Sequence, residues 1–210
     1  MKSSSGMQHL LLAAMLCAGQ VSLLPAQDAK SALASQCGEA DKLLNQGKFA
    51  EAEKAYRAML PAAHRDLPPA GPLNLRIRNN LAVALASQGK ASEAEAAHRA
   101  TLAILEKAPK VDQTTLLICK NNLGETLFVQ RKYAEAEKVH REVYTERQNT
   151  LGKENRDTLV SGYNLANSLY QLRRRDEARD IMRFITPIAK RTLGATHNYT
   201  VLFTTLESKL

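Results

Sequence analysis

The chain has 210 residues, of which 44% are hydrophobic and 24% charged, a size and composition that suit one folded domain with a continuous core. Its 29 Lys and Arg outnumber its 21 Asp and Glu, and the formal net charge of +8 favours acidic partners. The longest basic run is only Arg173-Arg174-Arg175, and no glycine-aromatic segment of the RNA-binding type occurs, so the sequence does not favour nucleic-acid binding.

The first 27 residues differ in composition from the rest. A single early cation, Lys2, precedes an apolar stretch from Leu10 to Leu24, and Pro25-Ala26 offers a cleavage site, which is typical of a secretory signal peptide. The stretch is too short for a membrane span. We therefore predict a presequence over residues 1–30 and a folded domain over residues 31–210. An uncleaved N-terminal helix in a cytoplasmic protein and a gene-model artefact are the alternatives, so both export and a cytoplasmic location stay open.

From about residue 33 onward, short motifs return every 42 residues. The triplet Glu-Ala-Glu begins at residues 51, 93 and 135 and returns as Glu-Ala-Arg at residue 177. A second motif has the same spacing and stands as Asn80-Leu81-Ala82, Asn122-Leu123-Gly124 and Asn164-Leu165-Ala166. A fixed period of this length means that each unit buries its apolar face only against its neighbours, so the units are expected to stack into a solenoid.

Each unit consists of two predicted helices joined by a short turn. Apolar residues recur with helical spacing from Leu73 to Gln88, which predicts a first helix there. Gly89-Lys90 follows as a stop signal, because glycine enters the left-handed conformation at little cost. Ser92 is expected to open the second helix. Small residues at positions 82, 124 and 166, and alanines at 52, 94, 136 and 178, should let the paired helices approach closely.

This helix–turn–helix unit resembles a tetratricopeptide repeat, as the stretch Gln46-Gly47-Lys48-Phe49-Ala50-Glu51-Ala52-Glu53 shows best. The ordinary repeat of that family has about 34 residues. The longer period, with Asn-Leu-Ala in the first helix, Leu151-Gly152 after the second and Asp157-Thr158-Leu159 before the next, resembles the kinesin light chain type of the repeat. The resemblance spans about residues 33–210. It implies an all-α tetratricopeptide-repeat superhelix of about four helix pairs plus a terminal helix that begins near Thr196.

The resemblance also implies where a ligand binds. In such an array the first helices line the concave face, and an asparagine there can hold the backbone of an extended peptide through its side-chain amide. The predicted peptide contacts are Arg76, Asn79, Asn80, Val83, Asn121, Asn122, Phe128, Val129, Tyr163, Asn164, Asn167 and Tyr170. Two alternatives stay open: the asparagines could instead fix the packing of neighbouring repeats, and Tyr163 and Tyr170 could pack against the terminal helix.

The sequence contains no Gly-rich phosphate loop, no nucleophile elbow and no metal-binding pair of histidines on one helix. His98 and His140 lie one repeat apart and share their repeat position with Tyr56 and Met182, so we interpret them as packing residues and not as metal ligands. We therefore expect no enzyme, no cofactor and no metal site.

The predicted function is that of an interaction scaffold or adaptor, which binds an extended peptide in the concave groove. The net charge favours an acidic peptide. The alternative is a structural or self-associating array without a dedicated peptide ligand, whose terminal helix stacks on another copy of the chain.

Overall fold

A computed structural model describes residues 26–110 and 112–210. Residues 1–25 of the predicted presequence lie outside this range, so the presequence stays a prediction. The described residues form helices and turns without strands, which confirms the predicted all-α class. None of these helices is long and apolar enough to cross a membrane.

Nine helices make up the described part of the chain. They are α1 (Ala26–Asn45), α2 (Phe49–Asp66), α3 (Pro72–Ser87), α4 (Ala91–Glu106), α5 (Gln113–Val129), α6 (Tyr133–Leu151), α7 (Arg156–Gln171), α8 (Arg175–Thr192) and α9 (Asn198–Glu207). The first eight form four pairs, from α1 with α2 to α7 with α8, and α9 follows as the terminal helix. This order confirms the predicted architecture.

The turn within each helix pair has the same backbone conformation in all four repeats. Gly47 and Gly89 have φ angles of 75° and 77°, and Arg131 and Arg173 occupy the equivalent positions at 61° and 62°. The left-handed residue ends the first helix of each pair. Two repeats therefore place arginine where the backbone favours glycine.

The second helix of each pair starts directly after this turn. In the second repeat the N–H of Lys90 donates to the carbonyl oxygen of Leu85 at 3.0 Å, and α4 begins at Ala91 with Lys90 as an N-cap whose side chain does not cap the helix. The expectation that Ser92 opens this helix is therefore wrong, because the turn itself positions the first residues of α4.

Three links between helix pairs use side-chain caps instead, at the starts of α5, α7 and α9, and at α9 Nδ1 of His197 accepts from the N–H of Tyr199 at 3.3 Å. Asp112 accepts hydrogen bonds from the backbone N–H groups of Thr114 and Thr115, both at 3.3 Å, at the start of α5. Asn155 accepts from the N–H of Asp157 at 2.8 Å at the start of α7. These caps satisfy free donors at the helix N-termini.

Contacts between repeats show which helices lie inside the curve. Each first helix contacts the first helix of the next repeat: α1 with α3, α3 with α5, α5 with α7, and α7 with α9. Within the described ranges, no second helix has comparable contacts with the next second helix. The first helices are therefore closer together, and the array curves with these helices on its concave face.

Three clusters of buried hydrophobic side chains fill the space between the helices. The repeated leucines are buried, among them Leu85, Leu127 and Leu169. Ala82 and Ala166 are fully buried, and Gly124 is buried at the equivalent position. The small residues therefore allow the predicted close approach of paired helices.

Candidate peptide-binding groove

Hydrogen bonds between side-chain amides link the first helices along the concave face. Nδ2 of Asn122 donates to Oδ1 of Asn79 at 3.0 Å, and Nδ2 of Asn164 donates to Oδ1 of Asn121 at 3.4 Å. Each bond joins one repeat to the preceding one. These four predicted peptide contacts thus have a role in packing, although each amide keeps further capacity for hydrogen bonding.

The first repeat uses a carboxylate in place of the amide acceptor. Oδ1 of Asp41 accepts from Nδ2 of Asn80 at 2.8 Å and from the hydroxyl of Tyr56 at 2.5 Å. The guanidinium of Arg76 pairs with Oδ2 of the same carboxylate. The positive charge of Arg76, predicted to attract an acidic peptide, is therefore balanced within the array.

A second carboxylate lies near the middle of the groove. Oε1 of Glu125 accepts from Nδ2 of Asn121 at 2.8 Å and from Nδ2 of Asn164 at 3.1 Å. Within the described part of the chain, Glu125 forms no salt bridge. The buried guanidinium of Arg147 is in electrostatic range, but its Nη1 donates to Oγ of Ser161 at 2.6 Å. Glu125 is thus held by amides while its charge is not balanced by a contacting cation.

Two hollows open on the concave face on either side of Glu125. The His98 hollow has a volume of about 270 Å³ and lies between α3, α4 and α5. Its lining consists of Val83, Ala86, Ser87, Ala91, His98, Asn122, Glu125, Thr126 and Val129. The walls are thus largely apolar, and Glu125 is the only charged residue in the lining.

The His140 hollow lies one repeat further along and has a volume of about 220 Å³. Its lining consists of Glu125, Phe128, Val129, His140, Asn164 and Asn167. Glu125 and Val129 border both hollows, and the Val129 side chain between them is 69% exposed. The two hollows therefore adjoin each other at these two side chains.

The two hollows are equivalent sites in successive repeats. Every residue that lines the His140 hollow stands 42 positions after a residue that lines the His98 hollow. The histidine position is occupied by Tyr56 in the first repeat and by Met182 in the fourth, and both side chains are fully buried. The side chain at this position thus varies while its burial does not.

Both histidines lie in the walls of these hollows with unpaired ring nitrogens. Each is only 1% exposed, and neither Nδ1 of His98 nor Nε2 of His140 has a hydrogen-bond partner among the described residues. Burial lowers the pKa of both imidazoles to about 4. Both rings are therefore neutral at neutral pH, and neither adds positive charge to the groove.

The hydrogen bonds of Ser168 define the tautomer of His140. Oγ of Ser168 donates to the carbonyl oxygen of Asn164 at 2.9 Å, so it accepts from Nδ1–H of His140 at 3.0 Å. Nε2 therefore bears a lone pair. The other edge of the ring packs against Gly124, where an added Cβ would lie 2.4 Å from both Cδ2 and Nε2.

The predicted aromatic contacts lie nearer the C-terminal end. The ring of Tyr163 stacks on Phe203 of α9, with 5.2 Å between ring centroids, and the guanidinium of Arg175 lies 5.7 Å from the centroid of Tyr170. Tyr163 thus contacts the terminal helix, as the alternative interpretation expected. The structure brings Val83, Phe128, Val129, Asn122, Asn164 and Asn167 together at the hollows, and places Arg76, Asn79, Asn80, Asn121, Tyr163 and Tyr170 in contacts elsewhere.

Among the lining residues that sequence reasoning missed are the titratable ones, Glu125, His98 and His140. Glu125 shares its repeat position with Val83 and Asn167, which were both predicted, so the alignment of repeats contained the signal. The histidines were correctly placed among packing residues, but their position beside open space follows from the arrangement of three helices.

A separate set of ion pairs lies at the turns, away from the groove. Glu53 accepts from Nζ of Lys90 at 2.7 Å, Nε of Arg57 at 2.8 Å and Nε2 of Gln88 at 2.7 Å. Glu95 repeats the arrangement one unit later with Lys132. Hydrogen bonds from Lys90 and Lys132, respectively, are the main reason that the pKa of each carboxyl is lowered to about 2. We call these contacts the glutamate ladder; they join neighbouring repeats.

The remaining titratable groups in the described part of the chain do not form a metal site. Within residues 26–110 and 112–210, no group of three or more His, Cys, Asp or Glu side chains could hold a metal ion. Cys37 and Cys119 are both buried free thiols, and burial raises the pKa of Cys119 to about 11. A buried thiol with a raised pKa is a poor nucleophile.

The chain is a curved array of stacked helix pairs with a shallow groove, so its class is that of the helical repeat proteins. Models of the tetratricopeptide repeat family match residues 37–109 and 115–191, which together cover most of the chain. The chain therefore belongs to the tetratricopeptide repeat family. Repeats of this family generally mediate protein–protein interactions and scaffolding, and their fold is typically non-catalytic.

Solved structures share this fold at low sequence identity. Two crystal structures of the nearly identical repeats of a kinesin light chain-like protein from Podosopora anserina, one of them a point variant, match with TM-scores of 0.74 and 0.73. Both are 21% identical, and the alignments cover 85% of this chain and 84% or 85% of those chains. BtubC (BKLC) from P. vanneervenii matches with a TM-score of 0.55 and 17% identity, over 83% of this chain and 66% of that one. Comparison with curated protein sequences finds no match.

Proposed function

We propose that this protein is an interaction scaffold that binds an extended peptide segment of a partner along its concave groove. The observation that supports this most directly is the pair of equivalent hollows, one repeat apart, which share the exposed side chain of Val129. Each hollow is smaller than the roughly 300–1,000 Å³ of small-molecule pockets, so it suits one side chain of a longer ligand.

The amides at the groove can hold the ligand's backbone. Asn122 uses one N–H for the neighbouring repeat and keeps a second N–H and its carbonyl oxygen. Asn164 donates to both Asn121 and Glu125, so it offers its carbonyl oxygen. An extended peptide exposes its backbone groups and can pair with such amides. The preference for an acidic peptide is predicted from the net charge of the whole chain alone, and it stays a prediction.

A library of random twelve-residue peptides displayed on phage tests this proposal. The protein should enrich a common motif, and the variant N122A/F128A should lose it, because one residue borders the His98 hollow and the other the His140 hollow. The exposed Lys138 lies on α6 outside both hollows, so K138A should select the same motif as the wild type. Helical circular dichroism must be retained in both variants. Equal enrichment by N122A/F128A, or no enrichment by the wild type, would contradict the proposal.

A second candidate function is self-association through α9. Val201 and Leu202 are 49% and 46% exposed, whereas Leu159, the repeat equivalent of Val201, is fully buried beneath the second helix of its own pair. A second copy of the chain could cover this apolar face. Sedimentation velocity then shows a dimer for the wild type and a monomer for V201E/L202E; a monomeric wild type across the micromolar range would rule this function out.

A further inference from the structure

We infer that the groove selects a basic side chain, Lys or Arg, whose stem lies in the His98 hollow and whose cationic group reaches Glu125. An apolar side chain three residues away would occupy the His140 hollow. The inference rests on the proposed function and specifies its ligand. It runs against the preference for acidic segments that the net charge of the chain suggests.

The charge inside the groove is opposite to the charge of the whole chain. Although Lys and Arg exceed Asp and Glu by eight, the linings of both hollows contain one charged residue, Glu125. Both imidazoles are neutral there, and Arg76 is paired with Asp41. The buried Arg147 is in electrostatic range of Glu125 but bonds to Ser161, so a ligand at the hollows meets a carboxylate that no cation contacts, and charge complementarity favours a cation.

The orientation of Glu125 is set by the array. Its Oε1 accepts from Asn121 and Asn164, at 2.8 and 3.1 Å, which come from two different helices. A carboxylate held in this way loses little rotamer freedom when a cation binds. Oε2 makes no hydrogen bond within the described part of the chain, so it can accept from an ammonium or guanidinium group.

The His98 hollow suits a side chain that is apolar along its length and charged at its end. Val83, Ala86, Ala91 and Val129 provide apolar walls, while Glu125 lies in the same lining. Lys and Arg have this character, because their methylene stems pack on apolar surface while the charged group stays in contact with water or a partner. A short acidic side chain would instead place its charge close to Glu125.

The spacing of the hollows suggests the spacing of the side chains. Packed helices lie about 8–10 Å apart, and the first helices of neighbouring repeats are in contact. In an extended polyproline II segment, residues three apart point the same way and are separated by about 9 Å. One residue can therefore enter each hollow when the two are three positions apart.

Fluorescence anisotropy with three labelled peptides tests the inference directly. The probe is Thr-Pro-Lys-Pro-Thr-Leu-Pro-Thr, and its counterparts have Glu or Ala in place of Lys. We expect the Lys peptide to bind about tenfold more tightly than the Ala peptide, the Glu peptide to bind most weakly, and the difference to shrink in high salt.

The variant E125Q separates charge from shape, because glutamine keeps an oxygen that can accept from Asn121 and Asn164. We expect E125Q to bind the Lys and Ala peptides equally. E106Q removes an exposed carboxylate on α4 outside the hollows and should leave the preference intact. The random library gives an independent readout, since its enriched motif should contain Lys or Arg in the wild type and lose it in E125Q.

The outcomes distinguish the two proposals. Enrichment of acidic motifs, or an unchanged Lys preference in E125Q, would overturn the inference while leaving a peptide groove in place. Enrichment of no motif would overturn the proposed function itself. Loss of all binding in E125Q together with a lower thermal midpoint would show that Glu125 is structural, and it would also overturn the inference.

Discussion

The imidazole of His140 packs so closely on Gly124 that a Cβ at residue 124 would lie 2.4 Å from two of its ring atoms. Glycine in a helix interior ordinarily costs about 0.5–1 kcal/mol relative to alanine. At this position the close approach of the histidine ring accounts for the glycine, whereas the second repeat has Ala82 and His98 at the equivalent positions, both buried. The fourth repeat has Ala166 and Met182 at the equivalent positions, and both are fully buried.

We expect Gly124→Ala to destabilise the array by about 1–2 kcal/mol, because overpacking outweighs the gain in helix propensity. The double variant G124A/H140M reproduces the alanine and methionine of the fourth repeat and should recover most of this loss. Gly38→Ala is the matched control, since nothing lies within 4 Å of its added Cβ, and it should stabilise. Urea denaturation followed by circular dichroism measures all three; a neutral G124A would mean that the ring moves freely.

The amide bond between repeats predicts a loss of stability in Asn122→Ala. Removing the donor to Asn79 should lower the free energy of unfolding by about 0.5–1.5 kcal/mol, the usual net value of one hydrogen bond. Asn167 lines the His140 hollow without a hydrogen bond among the described residues, so N167A should change stability much less. Equal urea midpoints for N122A and the wild type would show that the bond contributes nothing to repeat coupling.

At the left-handed turn positions, glycine should stabilise the fold more than arginine does. Arg131 has a φ of 61°, where a Cβ is disfavoured, and the equivalent residue in the second repeat is Gly89. We expect Arg131→Gly to raise the free energy of unfolding by about 0.5–1 kcal/mol, and Gly89→Arg to lower it by a similar amount. Chemical denaturation of the pair checks this, and a destabilised R131G would mean that the arginine side chain has contacts that outweigh its backbone conformation.

The glutamate ladder predicts acid sensitivity. Glu53 and Glu95 have pKa values of about 2, against an ordinary value of 4.5. Since the unfolded chain binds these protons first, their contribution is complete above about pH 4.5 and is lost as the pH falls towards 2. Glu53→Gln should make the free energy of unfolding depend less on pH in that window. Glu106→Gln, outside the ladder, should not; if both variants titrate like the wild type, the ladder does not stabilise the fold.

The buried histidines predict that the stability of the fold also depends on pH in a second, higher range. The pKa of His98 falls from 6.5 to about 4 because burial disfavours the charged ring. The unfolded chain therefore takes up protons that the folded one cannot, and stability declines as the pH falls from 6.5 to 4. His98→Met places the residue of the fourth repeat there and should reduce this slope, measured as thermal midpoints between pH 7 and 4. The exposed His64 provides the control, because H64Q should leave the slope unchanged.

The sequence by itself determined the repeat, the helix pairs and their turns. Helical periodicity and the glycine stop signal depend on residues close together in the chain, so Gly89 marked the end of α3 correctly. The 42-residue spacing also predicted which residues occupy equivalent places, including Asn122 and Asn164. Local conformation and repetition contain enough information for these conclusions.

Only the tertiary structure decided what the equivalent residues do. Asn122 donates to Asn79 because neighbouring first helices approach each other, and Glu125 borders two hollows because it lies between them. His98 and Tyr56 hold the same repeat position, yet the tyrosine hydroxyl bonds to Asp41 while Nδ1 of the histidine is unpaired among the described residues. The physical reason is that these contacts depend on side-chain size and on distances between helices, which a sequence period does not contain.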